Sequence, residues 1–225
     1  MSVTLGMMAR APAPGQCKTR LAALLGDAAI AKLYAAMIAD SIDRYSRAGA
    51  TRNVVVAAPE FNGIRALLDL VPPGWEVIPQ VGTGLGERLA NAFRALMVDG
   101  SAVVLVDSDS PTLPVEPLAA ALGRFNGARR ALLGPTDDGG YYLIGLSSPE
   151  LEVLRDIPWS SPRVLEVTLA RCDALSLSTE LLPRWYDVDE GKDLERLCAE
   201  LSQHPGRAPR CARNLRDLGL LRADG

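Results

Sequence analysis

At residues 102–111 the chain reads AVVLVDSDSP, and this run constrains the fold more than any other. Val103, Val104, Leu105 and Val106 form an unbroken apolar run of β-favouring residues, the pattern of a buried central strand. Asp107, Ser108, Asp109 and Ser110 end it, and Pro111, which has no amide hydrogen to donate, forbids further regular pairing. Ionised carboxylates at the end of such a strand must be solvated, paired or metal-bound. In an open α/β sheet that edge is where ligands sit. An Asp/Ser/Pro turn leading into the next helix accounts for the same residues without a ligand, so the other segments have to decide.

Strand and helix patterns alternate through the first 130 residues. Residues 3–8 (VTLGMM), 53–58 (NVVVAA) and 75–78 (WEVI) read as strands. From Asp27, a plausible N-cap, Ile30, Leu33, Met37, Ile38, Ile42 and Tyr45 recur at helical spacing, and Gly49 closes that helix. Shorter helices are predicted over 64–70, 88–97 and 115–125. Beyond them, 131–134 and 141–146 read as strands, with helical patterns at 150–155, 162–171 and 192–201 and a strand-like piece at 174–177. The expected fold class is α/β: a single domain with a mixed, mostly parallel sheet and helices on both faces. It should cover residues 1–202, with 203–225 as a linker and a short helical tail, the helix over 212–221.

Composition narrows the function classes. The 225 residues are 48% hydrophobic and carry a formal charge of -3, and lysine occurs only at 18, 32 and 192. No basic run tracks a phosphate backbone, so nucleic acid is not the expected partner. Cys17, Cys172, Cys198 and Cys211 are widely separated and His204 is the only histidine, which argues against a cysteine/histidine zinc site and for a reduced, cytoplasmic chain. Neither a signal peptide nor a membrane helix is expected.

Four loops carry candidate chemistry. In residues 11–20 (APAPGQCKTR), Ala11, Pro12 and Gly15 belong to an open turn whose free amides can face an anion, and Lys18 and Arg20 add charge. A basic surface loop is the bland alternative, and the glycines of a Walker A motif are missing. The second loop, QVGTGLGE, leads into a helix; Gly86 permits close backbone approach and Arg88 offers a cation near a helix start. The third is Asp107/Asp109, a pair able to hold Mg²⁺ or Mn²⁺ against a diphosphate. In the fourth, DDGGYY, Asp138, Gly139, Gly140 and Tyr141 offer an acid, bare backbone and an aromatic, although a type I′ hairpin turn explains them as well. Asp187 and Asp189 form a later D-x-D that an N-cap would also explain.

Taken in order, MMARAPAPGQCKTRL (7–21), GLGERLANAF (84–93), VDSDSP, GPTDDGGYYLIGL (134–146), WSS (159–161) and DVDEGKDL (187–194) resemble the DUF2064 family of bacterial GT-A-fold proteins, grouped with glycosyltransferases and linked to arsenosugar biosynthesis. The resemblance spans roughly residues 3–200. It implies a nucleotide-diphospho-sugar transferase fold with Lys18 and Arg20 as phosphate ligands and Asp109 as the metal-associated aspartate. By the same resemblance, Asp138, Gly139, Gly140 and Tyr141 form the acceptor or sugar segment, with Trp159 as a further substrate contact. Asp187 or Asp189 would be the second metal ligand, Asp189 being favoured. Where the family commonly has Gly-Thr-Asp, this chain has Asp107-Ser108-Asp109, so Asp107 is an extra acid added to the metal set.

The expected activity is metal-dependent glycosyl transfer from a nucleotide sugar to a small-molecule acceptor, with Mg²⁺ or Mn²⁺ as cofactor and Asp109 and Asp138 as catalytic residues. Two alternatives stay open because one fold serves several chemistries. One is nucleotidyl transfer from an NTP, as in guanylyltransferases; the other is a nucleotide-sugar-binding protein without turnover. An aspartate-nucleophile phosphatase is disfavoured by Pro111 and by the shortage of downstream lysines.

Overall fold

A computed structural model describes residues 1–98 and 100–222. In chain order the strands are β1 (Val3–Ala9), β2 (Arg52–Ala57), β3 (Trp75–Pro79), β4 (Ala102–Val106), β5 (Arg130–Pro135), β6 (Tyr141–Leu146) and β7 (Ser178–Leu181). The helices are α1 (Thr19–Leu25), α2 (Asp27–Tyr45), α3 (Gly63–Leu68), α4 (Leu85–Leu96), α5 (Val115–Leu122), α6 (Val164–Ala174), α7 (Gly191–Gln203) and α8 (Pro209–Asp217). The strands form one seven-stranded sheet in the order β3-β2-β1-β4-β6-β5-β7. β6 alone runs against its neighbours β4 and β5; the other pairings are parallel.

Period-two alternation on buried strands feeds two cores. Along β4, Val104 and Val106 face the layer built on α2, where Ile30, Leu33, Met37, Ile38, Ile42 and Tyr45 are buried. Val103 and Leu105 face Leu89, Phe93 and Leu96 of α4 and Cys172 of α6. Each large side chain buried this completely contributes roughly 1.5–3 kcal/mol, so the sheet is clamped from both sides and the loops at its carboxyl rim have a rigid base.

Several boundaries differ from expectation. Residue 174 ends α6, and the strand expected at 174–177 lies instead at β7, whose STEL sequence is only partly buried and carries no apolar run. Helix α4 begins at Leu85, so Gly86 lies in its first turn rather than in the preceding loop. Helix α1 follows a proline-rich loop and has no side-chain N-cap to announce it. At the far end α8 docks on α2: Cys211, Ala212 and Leu215 are fully buried in the same core, and the Cys211 amide donates to Asp40 at 2.9 Å.

Candidate functional site

From β1 the sheet grows outward through β2 to β3, then continues from β4 on the other side of β1. Loops diverging at such a reversal leave a crevice at the carboxyl ends of the strands. A cavity of about 1050 Å³ occupies it.

At its floor is Lys18, in a left-handed backbone conformation (φ 46°) just before α1, with only 6% of its side chain exposed. Its Nζ lies 2.9 Å from Asp109 Oδ1, after β4, and donates to Asp189 Oδ1 at 2.5 Å, before α7. The Asp109 carbonyl accepts the Val188 amide at 3.0 Å, which joins the two acidic loops. Burial disfavours the ammonium, but the charges of Asp109 and Asp189 outweigh it and raise the Lys18 pKa. Tyr34 closes the cluster from α2: its ring lies 5.8 Å from Nζ and its hydroxyl is 2.8 Å from Ser108 Oγ.

The two remaining aspartates on the floor are set up differently. Asp107 bonds within its own turn: Oδ1 accepts the Asp109 amide at 3.2 Å and Oδ2 accepts the Ser110 hydroxyl at 3.3 Å. Burial, then the charges of Asp109 and Asp187, push its pKa well up from the ordinary aspartate value. For Asp187, burial first and then Asp189 and Asp138 raise the pKa to about 6.

Toward the β6 side, Asp138 Oδ1 accepts the Thr136 hydroxyl at 2.5 Å and the Gly140 amide at 2.9 Å, which fixes the carboxylate. Gly139 is left-handed (φ 90°), and a Cβ there would stand 2.1 Å from the Pro162 carbonyl oxygen. Trp159 packs against bare Gly86, where a Cβ would come within 2.4 Å of the indole nitrogen, and meets Tyr141 edge-on at 6.3 Å.

On the β2 side, buried Gln80 donates to the carbonyls of Ala9 at 3.2 Å and Val56 at 2.9 Å, satisfying two strand ends. Arg88, 17% exposed, donates to the Gly82 carbonyl at 3.1 Å and pairs with Glu60. Arg20 is on the open rim, paired with Glu190 at 3.0 Å.

Of the residues expected from sequence, Ala11, Lys18, Arg20, Arg88, Asp107, Asp109, Asp138, Gly140, Tyr141, Trp159 and Asp189 line this one cavity. Pro12, Gly15, Gly86 and Gly139 do not; the last two support the wall from behind. Arg10, Tyr34, Glu60 and Gln80 also border the cavity and were not singled out from sequence. The only sequence signal for them is position: a polar residue at the end of a strand, or a hydroxyl-bearing aromatic on the buried stripe of α2.

No group of three or more acidic, thiol or imidazole side chains poised for a metal occurs among the described residues. Mg²⁺ needs only one or two carboxylates and completes its shell with water and phosphate. Asp109 and Asp189 supply such a pair, each engaged by Lys18 through a single oxygen. No helix among the described residues is long and apolar enough to cross a membrane.

In sequence, no curated protein matches the chain. A solved structure from Desulfovibrio desulfuricans G20, provisionally described as a nucleotide-diphospho-sugar transferase, is 29% identical over 99% of this chain and all of its own, with TM-score 0.85. CMP:2-keto-3-deoxy-manno-octonic acid synthetase complexed with CTP superposes at TM-score 0.59 and 14% identity, over 90% of this chain and 99% of that one. Glucosyl-3-phosphoglycerate synthase from Mycobacterium tuberculosis, in complex with Mn²⁺, UDP and glucosyl-3-phosphoglycerate, gives 0.54 and 14%, over 92% and 80%. The fold is that of the nucleotide-diphospho-sugar transferases. The family described as "Uncharacterized protein conserved in bacteria (DUF2064)" matches residues 41–161, more than half of the sequence, and the chain belongs to that family.

Proposed function

We propose that this protein is a glycosyltransferase that takes a sugar from a nucleoside diphosphate and passes it to a small acceptor. The observation that carries this reading is the Lys18 ammonium held between Asp109 and Asp189 at the point where the sheet order reverses. A cation on that floor suits a diphosphate lying across the strand ends, with Arg20 at the rim and Arg88 toward β2. Mg²⁺ or Mn²⁺, when bound, would be held by Asp109 and Asp189, with Asp107 shaping their loop, and would neutralise charge on the diphosphate. Mn²⁺ in the structure of the glucosyl-3-phosphoglycerate synthase supports that choice of ion.

Chemistry then falls to the β6 side. Asp138 is oriented by Thr136 and Gly140, and its role is to accept the proton of the acceptor hydroxyl as that oxygen bonds to the anomeric carbon. The bond from the anomeric carbon to the phosphate oxygen breaks, and the nucleoside diphosphate leaves. Trp159 and Tyr141 give the sugar or acceptor an aromatic wall, and Gly140 lets it approach the backbone.

A second reading, nucleotidyl transfer to a phosphorylated acceptor, is favoured by the fold shared with the synthetase that binds CTP. Incubation with nucleotide sugars or with NTPs, each with Mn²⁺ and a panel of hydroxyl and phosphate acceptors, separates the two. Nucleoside diphosphate release from a nucleotide sugar is expected; pyrophosphate release from an NTP would replace the first reading with the second.

A further inference from the structure

One side chain bordering the cavity has no part in holding the acids or the core. Phe61, in the turn at residues 60–62 between β2 and α3, is 61% exposed. Its backbone is left-handed (φ 56°, ψ 40°), and so is that of Asn62 (φ 55°). For a bulky residue such as Phe this conformation is unfavourable and persists only where the surroundings impose it. They do so here. Gly63 is pressed against the end of β2, where a Cβ would stand 1.9 Å from the Ala58 carbonyl oxygen, and Glu60 is tied to Arg88. The turn is pinned on both sides of Phe61, and the ring is held out into solvent. A strained backbone and an exposed ring both cost free energy, and among the described residues Phe61 belongs to neither core cluster.

We propose that Phe61 is the surface on which the nucleobase stacks, a role that rests on the nucleotide reading above. β2 lies beside β1 in the sheet, about 4.8 Å away, so the turn after β2 stands next to the loop that carries Lys18. Asp138 and Gly140 are on the other side, beyond β4, in the turn between β5 and β6. A nucleotide with its phosphates at Lys18 and its sugar facing Asp138 therefore directs its base toward β2 and Phe61. An aromatic ring offers any base a π-face.

The test is calorimetric titration of ADP, GDP, CDP, UDP and inorganic pyrophosphate, with Mn²⁺ present, into wild type, Phe61→Ala, Phe61→Tyr and Phe61→Asn, with the melting temperature of each. For whichever diphosphate wild type binds, Phe61→Ala should weaken binding roughly 5- to 100-fold, Phe61→Tyr should restore it, and pyrophosphate affinity should not change. Phe61→Asn, which suits a left-handed backbone, should raise the melting temperature while binding as poorly as the alanine variant. Wild-type affinity in Phe61→Ala, an equal loss for pyrophosphate, or a lower melting temperature in Phe61→Asn would each overturn the stacking role alone. A wild-type protein that binds none of the nucleotides would overturn the nucleotide reading as well.

Discussion

Lys18 Nζ and Asp109 Oδ1 are 2.9 Å apart, and the same ammonium bonds Asp189 Oδ1 at 2.5 Å. Any divalent cation using these two carboxylates must compete with a lysine already present. Replacing Lys18 with Met keeps the buried stem and removes that competitor. Mn²⁺ added without nucleotide, followed by electron paramagnetic resonance, should bind Lys18→Met at least roughly tenfold more tightly than wild type, a difference of about 1.4 kcal/mol. Nucleotide affinity should move the opposite way, because the phosphate ligand proposed at Lys18 is lost. Equal Mn²⁺ affinity in both proteins would show that Lys18 does not guard the acids.

Asp107 and Asp109 are two residues apart and should respond differently to the same change. Burial pushes the Asp107 pKa up and its oxygens hold the turn, so an amide of the same shape removes a buried charge and keeps one of the two acceptors. Asp107→Asn is expected to cost no more than about 1 kcal/mol, the net worth of one hydrogen bond, and to leave Mn²⁺-dependent nucleotide binding nearly intact. Asp109→Asn should abolish that binding. Thermal shift with and without Mn²⁺ reads both; a severe loss in Asp107→Asn would return Asp107 to the metal set.

Much of this site was legible because buried strands are short apolar runs and the residues that stop them are Pro, Gly and Asp. Val103 to Val106 followed by Asp107 and Pro111 reads as a strand end with no further information, and so does the loop before Lys18. Pairings across long sequence distances were not legible. Lys18 meets Asp189 through a register that emerges only when β1, β4 and the loop before α7 are packed together. The insertion of antiparallel β6 between β4 and β5 leaves no local trace, since the same hairpin could join a sheet edge. Nothing in the sequence sets Phe61 apart, because a left-handed φ in a residue other than glycine has no sequence signature. Helix α1 and strand β7 escaped for the complementary reason: one lacks a cap residue, the other an apolar alternation.

Gly139 links the Asp138 turn to the segment before α6. A methyl group there would meet the Pro162 carbonyl, which is backbone and cannot swing aside, and its φ of 90° is strained for any L side chain. Gly139→Ala should therefore destabilise the fold by roughly 1–3 kcal/mol and displace Asp138. Urea denaturation gives the first quantity, and turnover at saturating donor gives the second. An unchanged midpoint with unchanged turnover would mean that the turn relaxes freely.

Asp187 gives the stability of the protein a pH dependence of defined sign. Its folded pKa of about 6 lies above the ordinary aspartate value, so between the two the native state binds more protons than the unfolded chain. Stability from this group is fully present below the unfolded value, declines as pH rises through about 6, and is absent above it. Asp187→Asn removes the titration. Relative to wild type it should gain little at pH 4 and up to about 3 kcal/mol at pH 8, taking roughly 1.4 kcal/mol for each pKa unit. Urea denaturation of both proteins across that range, without metal, measures the difference. A gain that is constant with pH would assign the effect to packing instead of the buried charge, and Asp187 would no longer count as an acid whose placement costs the fold stability.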